Sequence, residues 1–321
     1  MSGLIERSET YKPFHYPEFV NQAIDHESMF WGEWEASLQR DVNQWQDGTV
    51  TPVEKNHITQ ILRLFTQSDQ IVGGSYVDVF LPYFKNNEVR MALLSIANRE
   101  STHMRAYALL NDTLGLPESE YKAFLEYEEM ADKAEWMQEF HPGEIPYLMG
   151  LNVAQTVVNE GVSLFSAFVQ LLNYQRPEAG SKMLGMSEIV EWSIRDETKH
   201  VEIMSRLFRL FCEEHPEIVT DHFKLSIYSM FREAVALEDR LIDLSFALGG
   251  PQALTKEQVK EYIRFIADRR LTQLGLKPNW GIEKNPLPWV DHIVSGDSQK
   301  NFFEGRVTDY NHKGMTGEWG W

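Results

Sequence analysis

Two segments of this 321-residue chain, Glu100-Ser101-Thr102-His103 and Glu197-Thr198-Lys199-His200, repeat the spacing Glu-x-x-His. On a helix that spacing puts a carboxylate and an imidazole on one face, within reach of a common partner. Glu54-Lys55-Asn56-His57 has the same form. It is set aside, because Thr51-Pro52-Val53-Glu54 reads as a capping box that already employs Glu54. The other two lie mid-helix in apolar company. Glu100 shares its face with Leu93, Ile96, Ala97, Met104, Tyr107 and Leu110, and Glu197 with Val190, Ile194, Val201, Met204, Phe208 and Phe211. Two further acids show the same anomaly: Asp69 among Leu62, Phe65, Thr66, Val72 and Tyr76, and Glu160 among Val153, Val157, Leu164 and Phe168. An unpaired charge in an apolar stripe costs several kcal/mol, so a positive partner is expected. Four carboxylates and two imidazoles offer the oxygen and nitrogen donors of a carboxylate-bridged pair of iron or manganese ions, and the order acid then Glu-x-x-His occurs twice. Core ion pairs and satisfied core histidines are the competing explanation for any one of these residues taken alone.

The elements that must carry these side chains are helices. From about 51 to 275 the apolar residues recur every three or four positions, with no alternation of the kind strands require. The pattern predicts helices over about 51–85, with Gly73-Gly74 as a bend, then 87–114, 118–140, 146–174, 187–213, 217–248 and 259–274. The fold class expected is an all-α, ferritin-like bundle with a dinuclear metal site in its core. Residues 1–294 form the expected domain, its first 50 residues packed on the bundle. Residues 295–321 lack helical period and read as a flexible C-terminal tail.

Composition closes off other classes. With 30 basic and 48 acidic residues the net charge is -18, unsuited to a phosphate backbone, so nucleic acid is not an expected partner. No apolar run is long enough to span a bilayer and the first residues are polar, so the expectation is a cytoplasmic chain with no membrane association. The single cysteine, Cys212, excludes an internal disulfide framework or a redox-active thiol pair.

Taken with their neighbours, these residues resemble the small, radical-generating subunit of class I ribonucleotide reductases. The resemblance rests on Asp69, on Arg99-Glu100-Ser101-Thr102-His103 followed by Tyr107, on Glu160, and on Arg195-Asp196-Glu197-Thr198-Lys199-His200. Asn285-Pro286-Leu287-Pro288-Trp289 and the stretch from Asn301-Phe302-Phe303-Glu304 to Tyr310 extend it. It implies that Asp69, Glu100 and His103 hold one metal and Glu160, Glu197 and His200 the other. The cofactor implied is two iron ions, with manganese or a mixed pair as alternatives. Tyr107 then matches the family's stable radical, and Trp31, Asp196 and Tyr310 its electron relay. From the residues alone, Trp34 competes with Trp31, Asp196 serves equally well as an outer acceptor for His103, and Glu304 reads as a solvated acid. One departure is Ser193, polar where an apolar wall is expected around Tyr107. It either bonds its own helix backbone or marks a wetter pocket.

The function implied is that of a ribonucleoside-diphosphate reductase small subunit, which generates and stores a radical and passes it to a catalytic large subunit. A lone cysteine fits that division, since ribonucleotide reduction needs a dithiol. The tail is the expected contact with the large subunit, a homodimer the expected assembly, and the resemblance admits a flavoprotein activase. The alternative is a stand-alone di-metal oxidase with no partner, for which a tail tyrosine has no use. An iron-storage protein is a poorer fit, because storage cages use much shorter chains.

Overall fold

The computed structural model describes residues 3–141 and 145–294, and among them there is no strand. Among the described residues eleven helices organise the fold: α1 (Pro17–Ser28), α2 (Gln39–Gln46), α3 (Pro52–Ser75), α4 (Asn87–Leu114), α5 (Glu128–Met137), α6 (Pro146–Gly161), α7 (Phe165–Leu172), α8 (Leu184–Glu214), α9 (Asp221–Ser245), α10 (Lys256–Gln273) and α11 (Pro288–Val294), with short turns of helix between them. Their starts are written in side chains. Thr51 accepts from the Glu54 N–H while Glu54 accepts from the Thr51 N–H, the Asn86 side chain accepts from Glu88 and Val89, and Thr255 with Gln258 closes a second capping box. Helix α4 ends at Gly115, whose φ of 72° suits a residue without Cβ.

Four helices frame the centre. α3 packs on α4, α6 on α8, and α4 on α8 joins the two pairs, while α1 lies across α4. The side chains between them form one continuous apolar core that includes Phe65, Val72, Ile96, Tyr107, Val157, Phe168, Val190, Ile194 and Met204. Leu4, Phe19, Trp31, Leu38 and Val50 bring the N-terminal segment into the same core. Gly73 marks where α3 and α4 run closest, since a Cβ there would sit 3.0 Å from that of Glu100.

Three expected helices differ. The first runs on past Gly73-Gly74 without a break but widens into a π-turn over Tyr76–Phe80, a local irregularity frequent at functional sites. The segment expected over 118–140 is divided at Tyr127, which turns extended (φ -112°, ψ 119°), and Arg63 holds its hydroxyl at 2.7 Å. The segment expected over 146–174 is divided at Val162–Leu164, just beyond Glu160. There the carbonyls of Gly161 and Ser163, released from the helix, are taken up by Arg270 Nε at 3.2 Å and by Lys133 Nζ. An interruption this short leaves the apolar period nearly in phase, so the sequence pattern passes over it. Met104, expected on the inward face of α4, is 37 % exposed.

Candidate metal centre

Each of the four central helices aims its acid at one point. Asp69 comes from α3, Glu100 and His103 from α4, Glu160 from α6, and Glu197 and His200 from α8, and none is more than 1 % exposed. The ligand-type atoms of Asp69, Glu100 and His103 lie within 4.8 Å of one another, as do those of Glu100, Glu160, Glu197 and His200. Glu100 belongs to both groups and stands between them. His103 Nδ1 faces Glu197 Oε1 at 3.2 Å and Glu100 Oε2 at 3.6 Å. His200 Nδ1 faces Glu100 Oε1 at 3.1 Å, Glu197 Oε2 at 3.2 Å and Glu160 Oε2 at 3.9 Å.

These carboxylates are under-satisfied. Asp69 Oδ2, both Glu100 oxygens, Glu160 Oε2 and Glu197 Oε1 are buried with no donor in hydrogen-bonding geometry among the described residues. Orphaned buried oxygens are rare because each forfeits its hydration without return. Five of them converging on one region, beside two imidazole nitrogens, is the donor set of a hard or borderline metal ion. In the protein alone, protons supply the balancing charge. Burial, reinforced by the neighbouring acids, pushes the Asp69 and Glu160 carboxyls well above the usual range. Burial alone would lower both histidines, but the surrounding carboxylates reverse this, raising His200 to about 10 and His103 well above the ordinary imidazole value. Burial would raise Glu100, but the positive charge of the two adjacent histidines outweighs it and holds that carboxyl at about 2.

Behind the two imidazoles the surroundings diverge. His103 Nε2 is 3.1 Å from Asp196 Oδ2, an oxygen that also accepts from Trp31 Nε1 at 2.7 Å and lies 3.4 Å from Arg99. Burial would raise Asp196, but His103 and Arg99 more than offset it and hold that carboxyl at about 2. Trp31 is buried and stacked beside His103 with ring centroids 5.8 Å apart, whereas Trp34 is 66 % exposed and takes no part. His200 Nε2 meets no carboxylate among the described residues. It lies 3.1 Å from Nε2 of His26, whose Nδ1 is 2.7 Å from Ser95 Oγ. Tyr76, in the π-turn, donates to Glu160 Oε1 at 2.7 Å. Sequence reading misses the roles of His26, Ser95 and Tyr76. His26 sits in a short amphipathic helix with no motif around it, and Tyr76 reads as one more apolar-face residue.

Tyr107 is fully buried one turn beyond His103, its ring edge-on to Phe65 at 4.5 Å between centroids. Its hydroxyl donates to Ser193 Oγ at 3.1 Å, and Ser193 donates to the carbonyl of Ile189 at 2.9 Å. Ser193 therefore bonds its own helix, and it is as buried as the wall around it. Burial, with the nearby Asp69 charge, pushes the Tyr107 phenol well above its ordinary pKa, so it stays protonated. Tyr310 and Glu304 lie outside the described residues. The remaining Glu-x-x-His pair serves structure: Glu54 caps α3 and binds Lys182 at 2.9 Å, while His57 bonds Tyr174 and Gln170. Burial raises the Cys212 thiol to about 12, leaving it protonated. No helix among the described residues is long and apolar enough to cross a membrane.

A family model for the ribonucleotide reductase small chain matches residues 8–286. This chain belongs to that family. A probable ribonucleoside-diphosphate reductase small subunit of Invertebrate iridescent virus 3 is 37% identical across 97% of this chain and 86% of its own length. The ribonucleoside-diphosphate reductase subunit beta of Chlamydia pneumoniae is 29% identical across 88% of this chain and 84% of its own. Among solved structures, the ribonucleotide reductase R2 subunit of Clostridium botulinum superposes with a TM-score of 0.82, at 21% identity over 92% of this chain and 94% of that one. The dimanganese(II)-NrdF of Streptococcus sanguinis gives 0.73 at 19% identity, covering 90% of this chain and 99% of that one. At such identities the structures speak to the fold, which is the ferritin-like helical one. The named relatives are reductase small subunits, which disfavours a stand-alone oxidase.

Proposed function

We propose that this small chain holds two transition-metal ions, one by Asp69, Glu100 and His103 and the other by Glu160, Glu197 and His200, with Glu100 facing both. The observation that carries this reading is the set of orphaned carboxylate oxygens converging between two imidazole nitrogens. The pair is two iron ions, with manganese or a mixed pair as the alternatives the same donors accept. When bound, the metal pair supplies the oxidising power for one-electron chemistry.

The chain's own residues do the rest. Tyr107 stores the oxidising equivalent in a pocket closed by Phe65 and Ser193, out of reach of solvent reductants. Asp196 orients His103 and fixes its tautomer. Through the same oxygen it couples His103 to Trp31, forming a continuous hydrogen-bonded path away from the metal centre. Trp31 and Asp196 are the first members of the relay by which the equivalent leaves, and Tyr310 is the last in this chain. Its recipient is the reductase large subunit, because ribonucleotide reduction requires a dithiol and this chain has one cysteine, held as a thiol. Residues 295–321 form the tail that engages that subunit. The working unit proposed is a cytoplasmic homodimer, with a flavoprotein activase as a further partner.

The test is electron paramagnetic resonance of metal-loaded protein after oxidation. Wild type is expected to show an organic radical. Tyr107→Phe is expected to keep the metal signal and lose the radical, and a persisting radical in that variant contradicts the assignment of Tyr107.

A further inference from the structure

His26 is a buried imidazole in the first helix, outside every motif in the chain, yet its ring meets that of His200 edge-on with centroids 4.8 Å apart. Nε2 of each ring points at the other across 3.1 Å. Two imidazole nitrogens at that distance share one proton, so one ring donates and the other accepts. Which does which follows from the other face of His200. Its Nδ1 looks into Glu100, Glu160 and Glu197, and a nitrogen that binds a metal there must present a lone pair. The proton of His200 is then on Nε2, and His26 Nε2 is the acceptor. The remaining proton of His26 is on Nδ1, where Ser95 Oγ lies 2.7 Å away to accept it. Asp196 Oδ1 is 4.0 Å from His26 Nε2, beyond hydrogen-bonding reach, so it does not compete for this position.

We infer that His26 is a positioning residue for the metal ion bound by His200: it fixes the tautomer and ring orientation of His200 through a Ser95–His26–His200 chain. This inference rests on the proposed two-ion reading and goes beyond it, because it gives the two halves of the centre unlike support. His103 is backed by a carboxylate, which makes its imidazole a stronger donor, whereas His200 is backed by an imidazole acceptor that carries no negative charge. Losing His26 therefore weakens one ion and spares the other.

Titration of the full-length apo-protein with manganese(II), followed by paramagnetic resonance and chelator competition, tests this without turnover. Wild type is expected to bind two ions. His26→Leu, which fills the space but cannot accept a hydrogen bond, is expected to weaken one of them about tenfold to a hundredfold and leave the other unchanged. His26→Gln, whose amide oxygen accepts from His200 and whose amide nitrogen donates to Ser95, is expected to restore most of that loss. Should His26→Leu fail to fold, Ser95→Ala frees the His26 ring to turn and weakens the same ion by a smaller factor. The inference is overturned if His26→Leu, or Ser95→Ala in its place, binds both ions as wild type does. It also falls if both ions weaken together or if His26→Gln loses as much as His26→Leu. If wild type itself binds no manganese, the two-ion reading fails first and this inference with it, an outcome distinct from a normal wild type beside an unaffected variant.

Discussion

Glu238 and the four central acids are both buried in this bundle, and they differ in where their positive charge comes from. Glu238 on α9 is fully buried, but Lys133 forms an ion pair with it and Ser166 donates to it, with Lys133 also donating to the carbonyl of Ser163. The central cluster places four acids around two histidines and leaves five carboxylate oxygens without a donor in position. Both arise from an acid in an apolar helical stripe, so burial of an acid alone does not mark a metal site. What distinguishes them is the source of the positive charge. A lysine from the neighbouring α5 answers Glu238, whereas no lysine or arginine forms an ion pair with any of the four central acids among the described residues.

The largest expected effect separates the clusters by removing the external cation. An ion present at about a thousand times its dissociation constant stabilises the fold by roughly 4 kcal/mol, so two contribute about 8 kcal/mol. Chelation is therefore expected to lower the thermal midpoint by many degrees, read by calorimetry, and an unchanged midpoint would erase the distinction. Next, Lys133→Met strips Glu238 of its partner and should destabilise the protein by about 3–5 kcal/mol in denaturant melts while leaving metal content unchanged. Adding Glu238→Gln should recover part of that loss.

The smallest effect concerns His57, whose Glu-x-x-His spacing did not place it in the metal centre. Burial lowers His57 to about 4 from an ordinary 6.5, even though Gln170 accepts from it and the Glu54 carboxylate on its own helix, tied to Lys182, favours its charged form. Its folded-state pKa lies below its unfolded one, so its contribution is fully present above pH 6.5 and is lost as the pH falls from 6.5 through 4. The loss is about 3 kcal/mol. His57→Gln should flatten the stability profile relative to wild type in that window and leave it parallel above pH 7.

Sequence spacing was informative where chemistry and helical period coincide. The inward placement of Asp69, Glu100, Glu160 and Glu197 was legible because four acids in apolar stripes, in the order acid then Glu-x-x-His twice over, point to one shared partner rather than to separate ion pairs. Trp31 over Trp34 was not, since both sit in one aromatic cluster and only the fold shows which meets Asp196. The break after Glu160 was hidden because its stabilising groups, Arg270 and Lys133, come from distant helices. His26 was invisible for a related reason: its partner His200 is 174 residues away and nothing local to α1 signals a bond. Met104 was misplaced because the stripe on α4 is narrower than its run of apolar residues.

The most direct measurement is metal content per chain by mass spectrometry, on protein loaded with iron(II) or manganese(II) and then freed of loosely held ions. Two ions per chain in wild type, and loss of at least one in Glu197→Ala combined with His200→Ala, is the expected result. Absence of bound metal in wild type, or two ions retained by the double variant, would contradict the two-ion centre.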